Sequence, residues 1–592
     1  MSLTRQDLVA GTPLSAVPLI GLACAAIGMP MLLAYNLPPS STFLNQAAAL
    51  VGWGSWLTLL AMSLRGSCWI RSPGLLSLQC ALGLLLLASL ASPLWAGLPW
   101  GLALSHAALI AAAALAVQVG AAAQREGLGV PVFRALCIGL VVAGAANSVI
   151  GIIQVFAPSW TDGDWIAHTY VTGRAVGNMR QPNHLSSLLL WATVAVIWLG
   201  DGAVVRRWLS QALALVFVFV VVLSASRTGT LSVVLLAVWG LFDRRLSRAT
   251  RVLLMLLPLA YGGFWLATSA WADYSHHVFG GEGRFTTKGD ISSSRWGIWS
   301  NTLALIRLHP WLGVGFGEFN FAWTLTPFPG RPVAFFDHTH NLILQFAVEL
   351  GLPLTAVVTA LLLRALWHAA RAARGQDPNG GPRPMTVARA AFAMVFLILV
   401  HSQLEYPLWY AYYLLPAAFA FGLCLIEAPT GAAPAPPAAV SGSRPLLIAS
   451  MLLMIGGFGS VYDSARVVVI FAPPEGAASL GQRIADGRNS VFFAHQADYA
   501  AATTADHPAD VMAAFRRATH MLLDARLMQA WARALNDAGE QQKARYVAQR
   551  LREFHNEAAE PFFAPCEAPP DPSQPPFQCV APDAALGYED FR

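Results

Sequence analysis

Residues 208–242 decide the fold class, and they read WLSQALALVFVFVVVLSASRTGTLSVVLLAVWGLF. Two apolar runs, 208–224 and 229–242, are separated by a short polar stretch that contains Arg227. An apolar run of about 20 residues is long enough to cross about 30 Å of hydrocarbon as a helix. The pattern therefore predicts two consecutive membrane-spanning helices, the second of them short, joined by a turn at the membrane boundary.

Comparable apolar runs recur along most of the chain. Of the 592 residues, 56% are apolar and only 12% are charged, whereas soluble domains carry about 25% charged residues. This composition excludes a soluble enzyme, and it also excludes a disordered chain, which requires low hydrophobicity. The sequence predicts an all-α polytopic membrane protein with about 13 transmembrane helices, at 15–34, 43–63, 74–91, 98–121, 135–156, 185–200, 208–224, 229–242, 252–270, 342–363, 387–403, 407–427 and 445–462.

Arginine positions predict the orientation of these helices. If the N-terminus is cytoplasmic, the short inner connections are rich in arginine, whereas the outer loops 35–42, 92–97 and 404–407 contain none. Positive residues favour the cytoplasmic side of a membrane protein. The net charge of +5 is therefore explained by the orientation of the helices in the membrane, and no nucleic acid is expected as a partner.

The composition changes near residue 470. Residues 1–470 are predicted to form the membrane domain, and residues 471–592 a polar domain on the outer side. Segment 490–556 is predicted to form amphipathic helices of the tetratricopeptide type, and the Pro/Ala tract 428–440 is predicted to be an inner linker.

Two cysteines, Cys566 and Cys579, lie in the Pro-rich tail of the outer domain. Disulfides form in oxidising compartments, and the loop between these two positions is long enough to close. We expect a disulfide between them, the alternative being two unpaired thiols.

Three polar clusters are predicted on the outer side. The first ends loop 157–184 and contains Arg174, Arg180, Gln181, Asn183 and His184; its alternative reading is a loop with a capped helix end. The second is Arg227, which marks a partner or an anion because an arginine at membrane depth is costly. Its alternative is an arginine that extends to the lipid headgroups.

The third cluster lies in the long loop 271–341 and contains Arg295, His338, His340 and Asn341. The His-x-His spacing allows a metal site, but a full set of three protein ligands is missing, so no metal is expected. We favour instead one neutral histidine that acts as a base near cationic side chains.

A smaller cluster, Glu405 and Tyr406, lies at the outer turn after residue 401. Its alternatives are a solvated carboxylate and an aromatic residue of the membrane interface, the second being favoured for Tyr410.

Together these segments resemble a known family. The order Arg, HPWLGVGFG (309–317), then His340-Asn341 with Gly351 ten residues later is similar to the shared domain of O-antigen ligases, O-antigen polymerases and bacterial protein O-oligosaccharyltransferases. The stretches GNMRQPNHLSSLLLW (177–191) and HSQLEYPLWYAYYLLP (401–416) resemble the pilin-type oligosaccharyltransferases in particular. The resemblance covers about residues 140–430. Leu354 departs from the ligase-type motif, which has Gly, Thr or Tyr there.

The resemblance implies a function at the periplasmic face of the bacterial inner membrane. A glycan would pass from an undecaprenyl-diphosphate carrier to a hydroxyl of an acceptor protein such as a pilin, without cofactor or metal. His340 would be the base, with His338 as the other candidate, while Arg227 and Arg295 would stabilise the diphosphate. By the resemblance, Gln181 and Tyr406 join the site. The transfer would invert the anomeric carbon, because no carboxylate is evident as a nucleophile.

Other functions compete with this interpretation. An O-antigen ligase would transfer the glycan to lipid A–core instead of a protein. A transporter would need polar residues along a path through the bilayer, whereas here they gather at the outer face. A membrane-anchored assembly protein would use the outer domain for docking, without catalysis.

Overall fold

The computed structural model describes residues 15–64, 72–281, 291–375, 385–426, 443–567 and 575–592, with only the backbone for 291–294. These described residues form helices and turns, without a β-strand. The predicted linker at 428–440 lies outside the described residues.

The first nine helices run through the N-terminal half of the chain. They are α1 (Ala16–Leu32), α2 (Phe43–Ser63), α3 (Pro73–Trp95), α4 (Trp100–Arg125), α5 (Gly129–Phe156), α6 (Pro182–Asp201), α7 (Arg207–Ser224), α8 (Arg227–Phe242) and α9 (Arg248–Ser275).

Among the described residues, six further helices follow in the apolar part of the chain, and the first two of them lie within the predicted loop 271–341. They are α10 (Ile291–Leu308), α11 (Phe319–Leu325), α12 (Leu342–Arg374), α13 (Val387–His401), α14 (Ala411–Cys424) and α15 (Arg444–Phe471).

Within the described residues, eight helices are long and apolar enough to cross a membrane, namely α3, α4, α5, α6, α7, α9, α12 and α15. Four shorter apolar helices, α1, α8, α13 and α14, accompany them. Together with α2, these helices coincide with the apolar runs seen in the sequence. The all-helical, polytopic character is therefore confirmed, whereas the count of thirteen spans stays a prediction.

Helix α6 lies at the centre of this bundle. Its most apolar segment is 94% buried inside the protein, compared with 17% for α15, so α15 is peripheral. Helices α5 and α7 pack against α6. Because α6 begins at Pro182, directly after Gln181, the predicted polar cluster at 174–184 lies at the end of the most enclosed helix.

The glycine-rich stretch 309–317 packs against a kink in α12 at Gly351. Gly351 has a φ of 74°, and a Cβ at this position would lie 2.3 Å from the Trp311 carbonyl oxygen. The Val314 amide donates to the Val348 carbonyl at 2.8 Å, and the Leu352 amide donates to the Pro310 carbonyl at 2.8 Å. The kink frees helix backbone groups that the loop satisfies. This stretch is thus explained by its packing.

The C-terminal part contains six further helices, which are α16 (Leu480–Gly487), α17 (Ala494–Thr504), α18 (Met512–Ala518), α19 (Ala525–Asp537), α20 (Gln541–Arg552) and α21 (Glu560–Phe563). Segment 490–556 is helical, as the sequence predicts, while its tetratricopeptide type stays a prediction. Cys566 and Cys579 are joined by the expected disulfide.

This C-terminal domain packs against α11, so the two lie on the same side of the bundle. The buried Glu318 carboxylate contacts His520 Nδ1 at 2.8 Å, and Asn320 Oδ1 accepts from the Leu523 amide at 2.8 Å. The Tyr546 hydroxyl donates to the Leu325 carbonyl at 2.6 Å. These contacts fix the domain next to the segment that leads into α12.

Candidate active site

Glu405 is the centre of a polar cluster at one end of the bundle. Its Oε1 accepts from Arg295 Nη2 at 2.5 Å and from Asn183 Nδ2 at 3.0 Å. Its Oε2 lies 2.8 Å from His340 Nδ1. The structure therefore brings together residues from α6, α10, the start of α12 and the turn after α13.

The turn after α13 fixes the position of Glu405. The Glu405 amide donates to the His401 carbonyl at 3.0 Å, which continues the last turn of the helix. The Ser402 carbonyl accepts from the Leu342 amide at 2.8 Å, and the Gln403 carbonyl accepts from Asn341 Nδ2 at 3.1 Å. The turn is thus tied to the residues that directly follow His340.

The ionisation of Glu405 follows from these partners. Although burial opposes its charge, the hydrogen bond with His340 and the nearby charge of Arg295 lower the pKa of Glu405 to about 2. An ionised carboxylate can only accept hydrogen bonds. In the neutral form of His340, the ring proton therefore lies on Nδ1, towards this carboxylate, and Nε2 is the nitrogen that can accept a proton.

His340 has a backbone conformation that is uncommon for a residue other than glycine, with a φ of 55°. Its neighbours hold this conformation. The Thr339 amide donates to Gln345 Oε1 at 2.8 Å, and the Thr339 hydroxyl donates to the Asn341 carbonyl at 2.8 Å. Such conformations persist only where the surroundings enforce them, and they cluster at functional sites.

Arg295 reaches Glu405 from α10, and a second contact attaches this helix to the histidine segment. Trp299, one turn further along α10, donates its indole N–H to the Thr339 carbonyl at 2.9 Å. Arg295 and His340 therefore contact the two oxygens of the same carboxylate, that of Glu405, and their positions are fixed relative to each other. Their side chains are 21% and 13% exposed, so both remain accessible from solvent.

Asn183 connects Glu405 to the turn that carries Arg227. Its Oδ1 accepts from the Ser226 hydroxyl at 2.6 Å, and Ser226 Oγ in turn accepts from the Gly229 amide at 3.0 Å as the N-cap of α8. Arg227 is the first residue of α8 and is exposed. Arg227 is the cation predicted at this turn. It directly follows Ser226, which belongs to the hydrogen-bond network of Glu405.

Two aromatic residues cover the histidines. The Tyr406 ring stacks on His338 with ring centroids 4.3 Å apart, and it meets His340 edge-on at 5.0 Å. His338 also contacts Trp409. Burial raises the pKa of Tyr406 well above its usual value, so its hydroxyl remains protonated, and it is hydrogen-bonded to Tyr410.

Two further predicted residues act as helix caps. Gln181 Oε1 accepts from the His184 amide at 2.6 Å at the start of α6, and Asn341 Oδ1 accepts from the Leu344 amide at 3.0 Å at the start of α12. The capped helix end considered for loop 157–184 is therefore present, with Gln181 as the cap.

Other predicted residues make contacts away from Glu405. Arg174 Nε donates to the Ser224 carbonyl at 3.0 Å, next to Ala225 with its φ of 48°. Arg180 donates to the Ser41 carbonyl at 2.6 Å. These arginines hold the turns around the cluster.

His184 is buried and lies within an aromatic group. Its Nδ1 is 3.3 Å from the Tyr412 hydroxyl, and its ring lies 4.6 Å from that of Tyr410. Tyr410 packs between His184 and Tyr406, and its expected place at the membrane interface stays a prediction.

The sequence missed how directly Glu405 contacts the histidine. It predicted cationic neighbours around the base, whereas the structure places a carboxylate on His340 Nδ1. It also missed Ser226 and Thr339. Ser226 is adjacent to Arg227 and has the residue type of an N-cap, so it was recognisable, whereas the contacts of Thr339 depend on tertiary packing.

Comparisons with known proteins match segments that contain several of these residues. A family model described as O-antigen ligase matches residues 212–359, which contain Arg227, Arg295 and His340. A model described as protein glycosylation ligase matches residues 175–199, which contain Asn183. A third, described as the C-terminal part of a virulence factor membrane-bound polymerase, matches residues 389–564.

Two curated relatives come from Acinetobacter baylyi. A general O-oligosaccharyltransferase is 24% identical over 288 residues, which cover 48% of this chain and 48% of the relative. A ComP-specific O-oligosaccharyltransferase is 23% identical over 289 residues, which cover 47% of each chain. The chain thus spans about half the length of the curated relatives it matches.

The chain is therefore similar to O-antigen ligases over residues 212–359. Over about half of its length, it is also similar to the two protein O-oligosaccharyltransferases, and residues 175–199 match the protein glycosylation ligase model.

Proposed function

We propose that the chain is a glycosyltransferase that moves an oligosaccharide from an undecaprenyl-diphosphate carrier to a Ser or Thr hydroxyl of an acceptor protein, such as a pilin. The transfer takes place at the periplasmic face of the bacterial inner membrane. The observation that carries the proposal is the arrangement of His340 and Arg295 on the two oxygens of Glu405. The names of the curated relatives favour a protein as the acceptor.

In the proposed reaction, His340 Nε2 removes the proton from the acceptor hydroxyl. The oxygen attacks the anomeric carbon of the glycan, and the bond from that carbon to the diphosphate oxygen breaks with inversion. The leaving group is undecaprenyl diphosphate, and the proton remains on the imidazole. Glu405 holds His340 in the required tautomer and stabilises the imidazolium that forms.

The negative charge on the diphosphate leaving group calls for fixed cations. Arg295 is oriented by Glu405, and Arg227 begins α8 beside the same network. A guanidinium fork fits phosphate oxygens, and donors that are fixed before the reaction stabilise charge as it develops. His338 and Tyr406 are assigned to substrate positioning, because they form the stacked pair next to His340.

A second candidate function is transfer to lipid A–core, as in an O-antigen ligase. It is favoured by the description of the model that matches residues 212–359. The two functions share donor chemistry and differ only in the acceptor.

Mass spectrometry of envelope proteins and of lipopolysaccharide, from cells with and without the chain, tests the proposal. The expected result is loss of a glycan from a protein, with lipopolysaccharide unchanged. Loss from lipopolysaccharide alone supports the ligase, and no change in either fraction contradicts both functions. A chain with His340→Ala serves as the control, because it separates loss of catalysis from loss of the membrane protein itself.

A further inference from the structure

A cavity of about 450 Å³ lies between the C-terminal domain and the turn that joins α3 to α4. It shares no residue with the Glu405 cluster, so it is a separate feature of the protein. The residues that matter for its chemistry are Gly97, Trp100 and Gly101 on the bundle side, and Arg488, His495 and Arg517 on the domain side.

The two arginines are oriented by one buried carboxylate. Arg488 Nε donates to Asp498 Oδ1 at 2.9 Å, and Arg517 Nε donates to Asp498 Oδ2. Asp498 is 1% exposed, whereas the arginine side chains are 39% and 47% exposed. Each guanidinium is therefore fixed through Nε, and its terminal nitrogens are accessible from the cavity. Fixed guanidinium groups bind phosphate oxygens well, because little freedom is lost on binding.

Two helices begin at the wall of this cavity. Helix α4 starts at Trp100 and helix α17 starts at Ala494, and neither N-cap residue, Pro99 or Phe493, provides a side-chain cap. The first residues of both helices line the cavity. The N-terminus of a helix presents backbone amides and a partial positive charge. Helix α4 therefore adds to the preference for an anion that the arginines create, whereas the amides before α17 already donate to the Asp463 carboxylate.

The other titratable groups beside the cavity are His495 and the carboxylates of Asp498 and Asp463, and both carboxylates are held by donors within the protein. Burial lowers the pKa of His495 to about 4, so its ring is neutral at neutral pH. Asp463 lies next to the wall, where its carboxylate accepts from the Ser490 hydroxyl and from the amides of Val491 and Phe492. Its charge is thus satisfied by three donors within the protein.

The position of the cavity indicates a ligand that lies at the membrane surface. Leu94 and Trp95 end α3, Trp100 begins α4, and all three side chains are exposed. Tryptophan is enriched where a membrane protein passes the lipid headgroups. Leu94 and Trp100 therefore favour a position of the cavity near the lipid headgroups, whereas the Trp95 ring is covered by Arg592.

We propose that this cavity, between the C-terminal domain and the bundle, binds the phosphate group of a membrane lipid. The same phosphate chemistry has two sources, namely a bilayer phospholipid and the lipid carrier of a glycan. We assign the phospholipid, because the cavity opens beside exposed apolar side chains and is separate from the Glu405 cluster.

Native mass spectrometry of the purified full chain in detergent tests the proposal. The probes are phosphatidylglycerol, diacylglycerol without a phosphate, undecaprenyl diphosphate, inorganic phosphate and an acidic peptide. The variants are Arg488→Gln and Arg517→Gln, each of which leaves Asp498 with one arginine partner. Arg516→Gln, an exposed arginine beside Arg517, is the matched control. Arg488→Lys and Arg517→Lys, with thermal unfolding of every variant, separate a lost contact from a lost fold.

The wild type is expected to retain phosphatidylglycerol and to release diacylglycerol. Each Gln variant should bind phosphatidylglycerol about tenfold more weakly, each Lys variant should lose less, and Arg516→Gln should match the wild type. Equal binding by all variants would overturn the proposal. A response to undecaprenyl diphosphate alone keeps the phosphate chemistry and overturns the phospholipid assignment. A response to inorganic phosphate alone or to the acidic peptide alone overturns the assignment to a lipid.

Discussion

His340 Nδ1 lies 2.8 Å from Glu405 Oε2, and this contact joins the first residues before α12 to the turn after α13. The histidine and the carboxylate are 65 residues apart in the sequence. The contact places the proton of the neutral ring on Nδ1 and leaves Nε2 for the acceptor hydroxyl, so the two residues are expected to act as one unit.

Glu405→Gln tests whether the carboxylate charge orients and stabilises the histidine. The variant keeps the size of the side chain but removes the charge that selects the tautomer of His340. Turnover should fall by about a hundredfold or more, with a smaller change in KM. The measurement is transfer of glycan from a purified lipid-linked donor to an acceptor peptide. Glu589→Gln, at an exposed carboxylate, is the control, and an active Glu405→Gln protein would contradict the assigned role.

Arg295 is expected to stabilise the leaving diphosphate. Arg295→Ala should lower turnover by about a hundredfold, as for other lost preorganised donors. Arg295→Lys should recover only part of the rate, because a point charge does not replace the guanidinium fork. The exposed Arg307 lies on the same helix, so Arg307→Ala is the matched control. Equal rates for Arg295→Ala and Arg307→Ala would show that the charge of Arg295 is dispensable.

The low pKa of Glu405 predicts a pH dependence of stability. Its pKa in the folded protein is about 2, below the ordinary value of 4.5. The stabilisation is therefore fully present above pH 4.5 and is lost as the pH falls towards about 2. Thermal unfolding in detergent should show that the advantage of the wild type over Glu405→Gln shrinks across this range. An advantage that does not change with pH would contradict the assigned ionisation.

The arginine pattern predicts the orientation of the chain in the membrane. Reporter fusions after Gly127 and Gly375 should report the cytoplasm, and a fusion after Ala500 should report the periplasm. This result also places the C-terminal domain on the same side as the Glu405 cluster. A cytoplasmic signal after Ala500 would mean that one span has been miscounted.

The sequence predicted the helices well because the signal is local. A run of about 20 apolar residues forms a helix in a membrane whatever surrounds it, and the described helices follow those runs. The helices α10 and α11, which lie within the predicted loop 271–341, were harder to predict. They are stabilised by contacts with α12 and with the C-terminal domain. Helices that are stabilised by such long-range packing lack an apolar periodicity that is specific enough to predict them from the sequence.

The sequence indicated which residues form the candidate site better than it indicated which of these residues contact each other. Arg295, His340 and Glu405 were all singled out from separate segments, and the structure brings them together. The pairing of Glu405 with His340 depends on how the turn after α13 meets the start of α12, which no local pattern specifies. The same holds for Gln181, whose role as a helix cap takes up the side-chain oxygen.

Glycan transfer by purified His340→Ala and His338→Ala proteins tests whether His340 is the catalytic base. Both variants should be inserted and folded like the wild type, and turnover should be almost lost in His340→Ala. His338→Ala should keep turnover closer to the wild type and raise KM, because His338 is assigned to positioning. Wild-type turnover in His340→Ala would contradict the role of His340 as the base. An inactive His338→Ala beside it would move the base to His338, and full activity in both would end the histidine mechanism.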